Sequence, residues 1–165
     1  MKNILLTYYT KTNTTKEICE YIMDQLKDTG CDLSLQPMEN VKNLENYDLV
    51  ILGAPIHGMN WATEAKAFAD ANLALLKDKK VALFYNAYLL NNSRKMWQKP
   101  IHKSLNTYIS SLNPIAVGEF NGRVDSPFKG IPKLIFGSRP NEPLDRRNWA
   151  DIDQFVIAVK EHIIQ

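Results

Sequence analysis

The densest chemistry in the sequence lies in Thr7–Ile18, "TYYTKTNTTKEI", which holds five threonines and no glycine just after a hydrophobic start. Hydroxyls beside the uncapped N–H groups of a helix start make an anion site. The helix dipole favours negative charge there, and the hydroxyls are neutral donors, so no arginine or lysine is required. The threonines of this stretch are candidate donors to a phosphate, on a helix opening near Thr14. Lys11 either points away or adds a charge. The alternative is structural: threonines also cap helices with nothing bound. The stretch is neither a GxxxxGK[ST] phosphate loop nor a GxGxxG dinucleotide fingerprint.

Other reactive side chains are sparse. His57 follows a strand end in a glycine-flanked loop, whereas His102 and His162 lie on separate helical patterns. They form no metal-ligand spacing and no nucleophile triad. Cys19 and Cys31 are not in CxxC spacing and read as free, structural thiols.

These residues need elements to position them. "NILLTYY", "YDLVILGAP", "KVALFYN" and "PIAVGEF" are continuous apolar runs, as buried strands should be, and "DLSLQPM" alternates as a shorter strand. Between them, Ile18, Cys19, Ile22, Met23 and Leu26 recur at helical spacing, with Gly30 as a C-terminal stop. "WATEAKAFADANLALLK" predicts one helix, Pro100 opens another through "PIHKSLNTYISSLN", and a last one runs from about Asn148 to Ile164. Alternating strands and helices predict an α/β fold with a parallel sheet covered on both faces. Right-handed crossovers make it doubly wound, with ligands at the carboxyl ends of the strands. The 165 residues form one domain spanning 1–165.

With these motifs in place, the chain resembles the flavodoxins. Thr10-Lys11-Thr12-Asn13-Thr14-Thr15 matches their phosphate loop, (S/T)-x-T-G-x-T, with Asn13 where glycine is usual. Asparagine is the residue best able to take positive φ in glycine's place. "YDLVILGAPIHGMNW" resembles the second flavin loop, through Gly53-Ala54-Pro55-Ile56, and "VALFYNAYLLNNS" occupies the place of the third. The resemblance implies a flavodoxin-like five-stranded sheet in the order 2-1-3-4-5, with FMN as cofactor. It further implies that Ala54, Pro55, Ile56, His57, Gly58 and Trp61 line the second loop, and Asn86, Ala87 and Tyr88 the third. Trp61, His57 and Tyr88 are then the candidates to stack on the flavin ring, although both aromatics also suit packing on the sheet. Gly58 and Asn86 would let backbone approach the ring. Across residues 3 to about 160, "GAPIHGMNW", "ALFYNAYL", "FNGRVD" and "DRRNWADIDQF" look like the flavodoxin-domain group that includes bacterial menaquinone-dependent protoporphyrinogen oxidase.

Asn121–Arg147 breaks the rhythm, with four prolines, three glycines and no clean period. It reads as an insertion after the last strand. Arg123, Lys129, Lys133, Arg139, Arg146 and Arg147 outnumber Asp125, Glu142 and Asp145, and Phe128, Ile131, Leu134, Ile135 and Phe136 accompany them. Such a segment suits an anionic aromatic substrate, a quinone or an anionic membrane surface met peripherally, or else it is a solvated flap. Trp149, Ile152, Phe155, Val156 and Val159 read as core, and Trp97 as a loop anchor or partner contact.

A net charge of +2 does not indicate a nucleic-acid binder. It also fits poorly with a flavodoxin-type electron carrier, which is typically acidic and docks on basic redox partner proteins. An oxidoreductase is therefore favoured over a carrier or a binding module. No apolar run is long enough to cross a bilayer, and Met1-Lys2-Asn3 leads into "ILLTYY", too short for a secretory signal, so the expected location is cytoplasmic.

Overall fold

Each continuous apolar run forms a strand, because a strand covered on both faces needs no polar side. The computed structural model describes residues 1–88, 90, 95–124 and 144–164, side chains at 95–97 and 164 aside. In order they build β1 (Asn3–Tyr8), α1 (Thr14–Leu26), β2 (Asp32–Pro37), β3 (Leu49–His57), β4 (Asn60–Trp61), α2 (Thr63–Ala71), α3 (Leu73–Lys77), β5 (Lys80–Ala87), α4 (Lys95–Leu112), β6 (Ala116–Asn121) and α5 (Trp149–Ile164). The sheet runs β2-β1-β3-β5-β6, all parallel, with β4 turning back on the end of β3. Leaving out the two-residue β4, this is the expected flavodoxin-like order.

Alternate strand residues feed two cores. On one face Ile4, Leu6, Ile51 and Phe84 pack under α1 and α5, through Ile18, Ile22, Phe155 and Val159. On the other, Leu5, Leu52, Leu83 and Tyr85 pack under α2, α3 and α4, through Phe68, Leu76, Ile101 and Leu105. Each fully buried Leu, Ile or Phe contributes roughly 1.5–3 kcal/mol. Gly53 serves this packing: a Cβ there would collide with the Phe84 ring, which meets Phe120 and Phe155 at centroid distances of 5.4 and 6.0 Å.

Several boundaries depart from the sequence expectation. The alanine-rich helix starts at Thr63, not Trp61, and is broken at Asn72. There the side-chain Nδ2 donates to the Phe68 carbonyl at 2.8 Å, beside the bond from the Asn72 backbone N–H to the same oxygen. Local side-chain bonding of this kind competes with helix continuation. Pro100 does not open α4, which begins at Lys95 and carries the proline inside. Proline removes one helical N–H there, at an exposed position of the helix. Trp149 is not core: it is 38% exposed at the start of α5, against Tyr21 at 4.6 Å.

Candidate functional site

Because the sheet is parallel, the segments after β1, β3, β5 and β6 all leave from one edge. The first connects β1 to α1. Asn13 is the N-cap of α1 with φ 60, the left-handed conformation expected of a residue in glycine's place. No side chain caps the helix. The first helical bond runs from Glu17 N–H to the Asn13 carbonyl at 2.9 Å, so the N–H groups of Thr14, Thr15 and Lys16 have no intrahelical partner. Thr12 is exposed, with its hydroxyl 3.2 Å from that of Thr14. Thr10 is half-buried and Lys11 exposed at the same turn.

Thr15 differs. It is buried, and its hydroxyl donates to the Asn86 side-chain oxygen at 3.0 Å. Asn86, itself buried at the end of β5, thus ties the third loop to the first turn of α1.

The second loop is a hairpin. Ala54 is buried, Pro55 and Ile56 are half-buried, and His57 ends β3 opposite Asn60. Ala62 N–H donates to the Pro55 carbonyl at 3.0 Å and closes it. The turn residues Gly58 and Met59 have φ 54 and 63, the double left-handed geometry of a type I′ turn. A Cβ on Gly58 would meet no described protein atom within 4 Å, so within the fold the glycine supplies the left-handed φ of the turn. Trp61 is 1% exposed, with its ring 5.3 Å from Tyr108 and its backbone N–H donating to the Ser104 hydroxyl at 3.1 Å. It packs on the sheet and offers no free face.

His57 remains at the rim, edge-on to Tyr9 at 6.4 Å. Partial burial, then the Lys11 ammonium, hold its imidazole below the ordinary value, so it is neutral at pH 7. A hydrogen bond to Glu64 raises the Tyr9 phenol and lowers the Glu64 carboxyl. This Tyr9–Glu64–His57 grouping had no sequence signal, since it joins a strand end, a hairpin and a helix start.

After β6 the chain turns back across the loops. Gly122 N–H donates to the Ala87 carbonyl at 2.8 Å, and the Thr14 hydroxyl to the Arg123 carbonyl at 3.4 Å. The two ends of the insertion pair as a short antiparallel ladder: Val124 N–H to the Leu144 carbonyl at 2.9 Å, Arg146 N–H to the Gly122 carbonyl at 3.1 Å, and Arg123 bridged to Asp145. Glu17 of α1 receives Arg123 at 3.0 Å and Arg147 at 2.6 Å, and Arg147 also grips Asp145 at 2.5 Å. The Arg146 guanidinium lies 5.3 Å over the ring of half-buried Tyr88. The rest of the insertion, with Phe128, Lys129, Ile131, Lys133, Leu134, Ile135, Phe136, Arg139 and Glu142, lies outside the described residues, as does the Trp97 side chain.

A family model described as a flavodoxin domain matches residues 5–130. The chain belongs to the flavodoxin-domain family. No curated protein matches it. Among solved structures it is similar to oxidised flavodoxin 2 from Bacillus cereus, at 20% identity over 97% of this chain and 99% of that one, with TM-score 0.64. It is similar to a flavoprotein in complex with FMN from Lactobacillus acidophilus NCFM, at 21% identity over 72% and 93%, TM-score 0.54. It also resembles the rubredoxin oxygen:oxidoreductase from Desulfovibrio gigas, at 12% identity over 98% of this chain but only 36% of that protein, TM-score 0.65. At these identities the likeness is one of fold.

Within a flavodoxin domain, the start of α1 fits a flavin phosphate on the donors it presents: three N–H groups without an intrahelical partner, a left-handed residue in place of glycine, and the exposed Thr12 hydroxyl. Thr15 and Asn86 fit as a brace beneath the loops. No helix among the described residues is long and apolar enough to cross a membrane.

Proposed function

We propose that this flavodoxin domain binds FMN and works as a redox protein, as an oxidoreductase in preference to a mobile carrier. The observation that carries the reading is the uncapped start of α1, with left-handed Asn13 and the exposed Thr12 hydroxyl, at the sheet edge where the second and third loops converge. Thr10, Lys11 and Thr12 would complete the phosphate cradle. Tyr88 offers an aromatic face for a flavin ring, and His57, neutral at pH 7, adds no charge at the rim. The flavin, when bound, supplies electron transfer, and the protein positions it and tunes its potential. Because the flavin carries that chemistry, no side chain is needed as a nucleophile.

The near-neutral charge supports an enzyme over a carrier, because carriers rely on a strongly acidic face for weak, rapid docking. The finer assignment, to the group that includes menaquinone-dependent protoporphyrinogen oxidase, rests on sequence motifs alone and is part of the proposal. The visible spectrum of the purified protein tests the cofactor. Heat release and chromatography should give FMN near one per chain; FAD, or no flavin on reconstitution, would overturn it. Steady turnover of a quinone by the FMN form then separates enzyme from carrier.

A further inference from the structure

Of the three histidines, His57 alone ends a strand. His102 lies on α4 with Glu119 at 3.4 Å. His162 lies in the last turn of α5, where its carbonyl accepts from Lys80 at the start of β5, so it sits at the opposite edge of the sheet. The hairpin fixes the backbone of His57. It pairs with Asn60, whose side chain donates to the Gly58 carbonyl at 3.2 Å, and buried Trp61 anchors the returning strand. The imidazole is exposed and edge-on to Tyr9. Its charged neighbours among the described residues come from two other elements. Lys11, exposed in the first loop, disfavours the imidazolium, and Glu64, in the first turn of α2, favours it. The Tyr9 phenol bonds Glu64 and keeps that carboxyl ionised. Glu39, on the turn after β2, acts on Tyr9, and Lys66 of α2 is held on the Asn60 side-chain oxygen at 3.4 Å. An exposed imidazole between opposed charges is suited to take up and release a proton at the mouth.

We propose that the His57 imidazole is the proton-transfer group of the redox reaction: it protonates an oxygen of a quinone-class acceptor as that acceptor takes two electrons, and takes the proton back in the reverse direction. This rests on the flavin reading above. The step balances. The reduced, anionic flavin gives up two electrons and one proton, His57 gives the second proton, and the quinone leaves as the hydroquinone. His57 then recovers its proton from solvent, to which it is open. Lys11 and Glu64 act through His57, as positioning residues that set the pH at which it carries the proton.

In the test, chemically reduced FMN protein is mixed anaerobically with excess menadione across the pH range in which histidine titrates. The return of flavin absorbance gives the limiting rate. In the wild type this rate should rise as pH falls through the His57 value, read independently by NMR titration of the ring protons. His57→Gln should slow the limiting rate about a hundredfold or more and remove the inflection. Its fold, by circular dichroism, and its FMN dissociation constant should not change, and added imidazole should restore part of the rate. Glu64→Gln removes the favouring anion and should move the inflection to lower pH. Lys11→Gln removes the opposing cation and should move it to higher pH, in the NMR titration and the rate alike. An inflection that survives His57→Gln would belong to the flavin and would overturn the proposal. So would a wild-type rate independent of pH, a rate profile that does not follow the NMR shifts, or a His57→Gln loss accounted for by lost FMN. No flavin uptake on reconstitution would reject the flavin reading, and the proposal with it. Flavin uptake with full menadione turnover by His57→Gln would reject the proposal alone.

Discussion

Thr15→Val separates the two kinds of threonine in the first loop. Valine keeps the shape and removes only the hydroxyl. Thr15 is 1% exposed and Asn86 3%, and their 3.0 Å bond is buried. Loss of the donor leaves the Asn86 oxygen unpaired in the interior, which costs about 1–3 kcal/mol. For a chain of this length that is a fall in Tm of roughly 5 °C. Because the Thr15 hydroxyl is committed to Asn86 and the pair braces two loops, FMN and riboflavin should weaken by the same factor, at most about tenfold. Thr12→Val is the contrast. Thr12 is exposed, its only described partner is the Thr14 hydroxyl, and stability should change by no more than about 0.5 kcal/mol. FMN should weaken by about one to two powers of ten, with riboflavin nearly unchanged. The measurements are thermal unfolding by circular dichroism and ligand affinity by flavin fluorescence. A Thr15→Val protein with wild-type Tm that loses FMN but keeps riboflavin would refute the reasoning, because its hydroxyl would then belong to the phosphate.

Glu17→Gln should cost about 1–2 kcal/mol, since it removes the acceptor of two arginines that are partly screened by solvent; a double-mutant cycle with Arg147→Gln should show coupling near 1 kcal/mol, and additivity would deny the clamp. The hydrogen bond from Arg147 holds the Asp145 carboxyl below its ordinary value, so its contribution is present above about pH 4 and is lost as pH falls through the depressed value. Trp149 emission, 4.8 Å from the Arg147 guanidinium, should report that step, and Asp145→Asn should abolish it. Replacing residues 125–143 by a short Gly-Ser linker should leave folding and FMN content intact, because Val124 and Leu144 are already paired; loss of FMN would place the segment in the flavin pocket. Gly53→Ala should destabilise by about 1–3 kcal/mol through collision with Phe84, and a neutral result in chemical denaturation would contradict the packing.

The parallel sheet was legible because burial on both faces leaves an uninterrupted apolar run for each inner strand, whereas its order came with the resemblance to the flavodoxins. The phosphate loop was legible because its donors are adjacent in sequence: the spacing of Thr10, Thr12 and Thr15 and the substitution of Asn13 for glycine are local facts, and φ 60 at Asn13 is the local consequence. The direction in which each hydroxyl points was not. Thr15 bonds Asn86, seventy-one residues away, and only the pairing of β3 with both β1 and β5 brings them together. Trp61 looked as suited to a flavin face as to the core, and the hairpin of β3 with β4 decided for the core by turning it onto Tyr108. The insertion read as an irregular basic stretch, but pairing of its two ends turns Arg123 and Arg147 toward Glu17 and Arg146 toward Tyr88 of the third loop. Composition counts charges, whereas which of them face each other depends on register and strand alternation, and those are fixed only when distant segments meet.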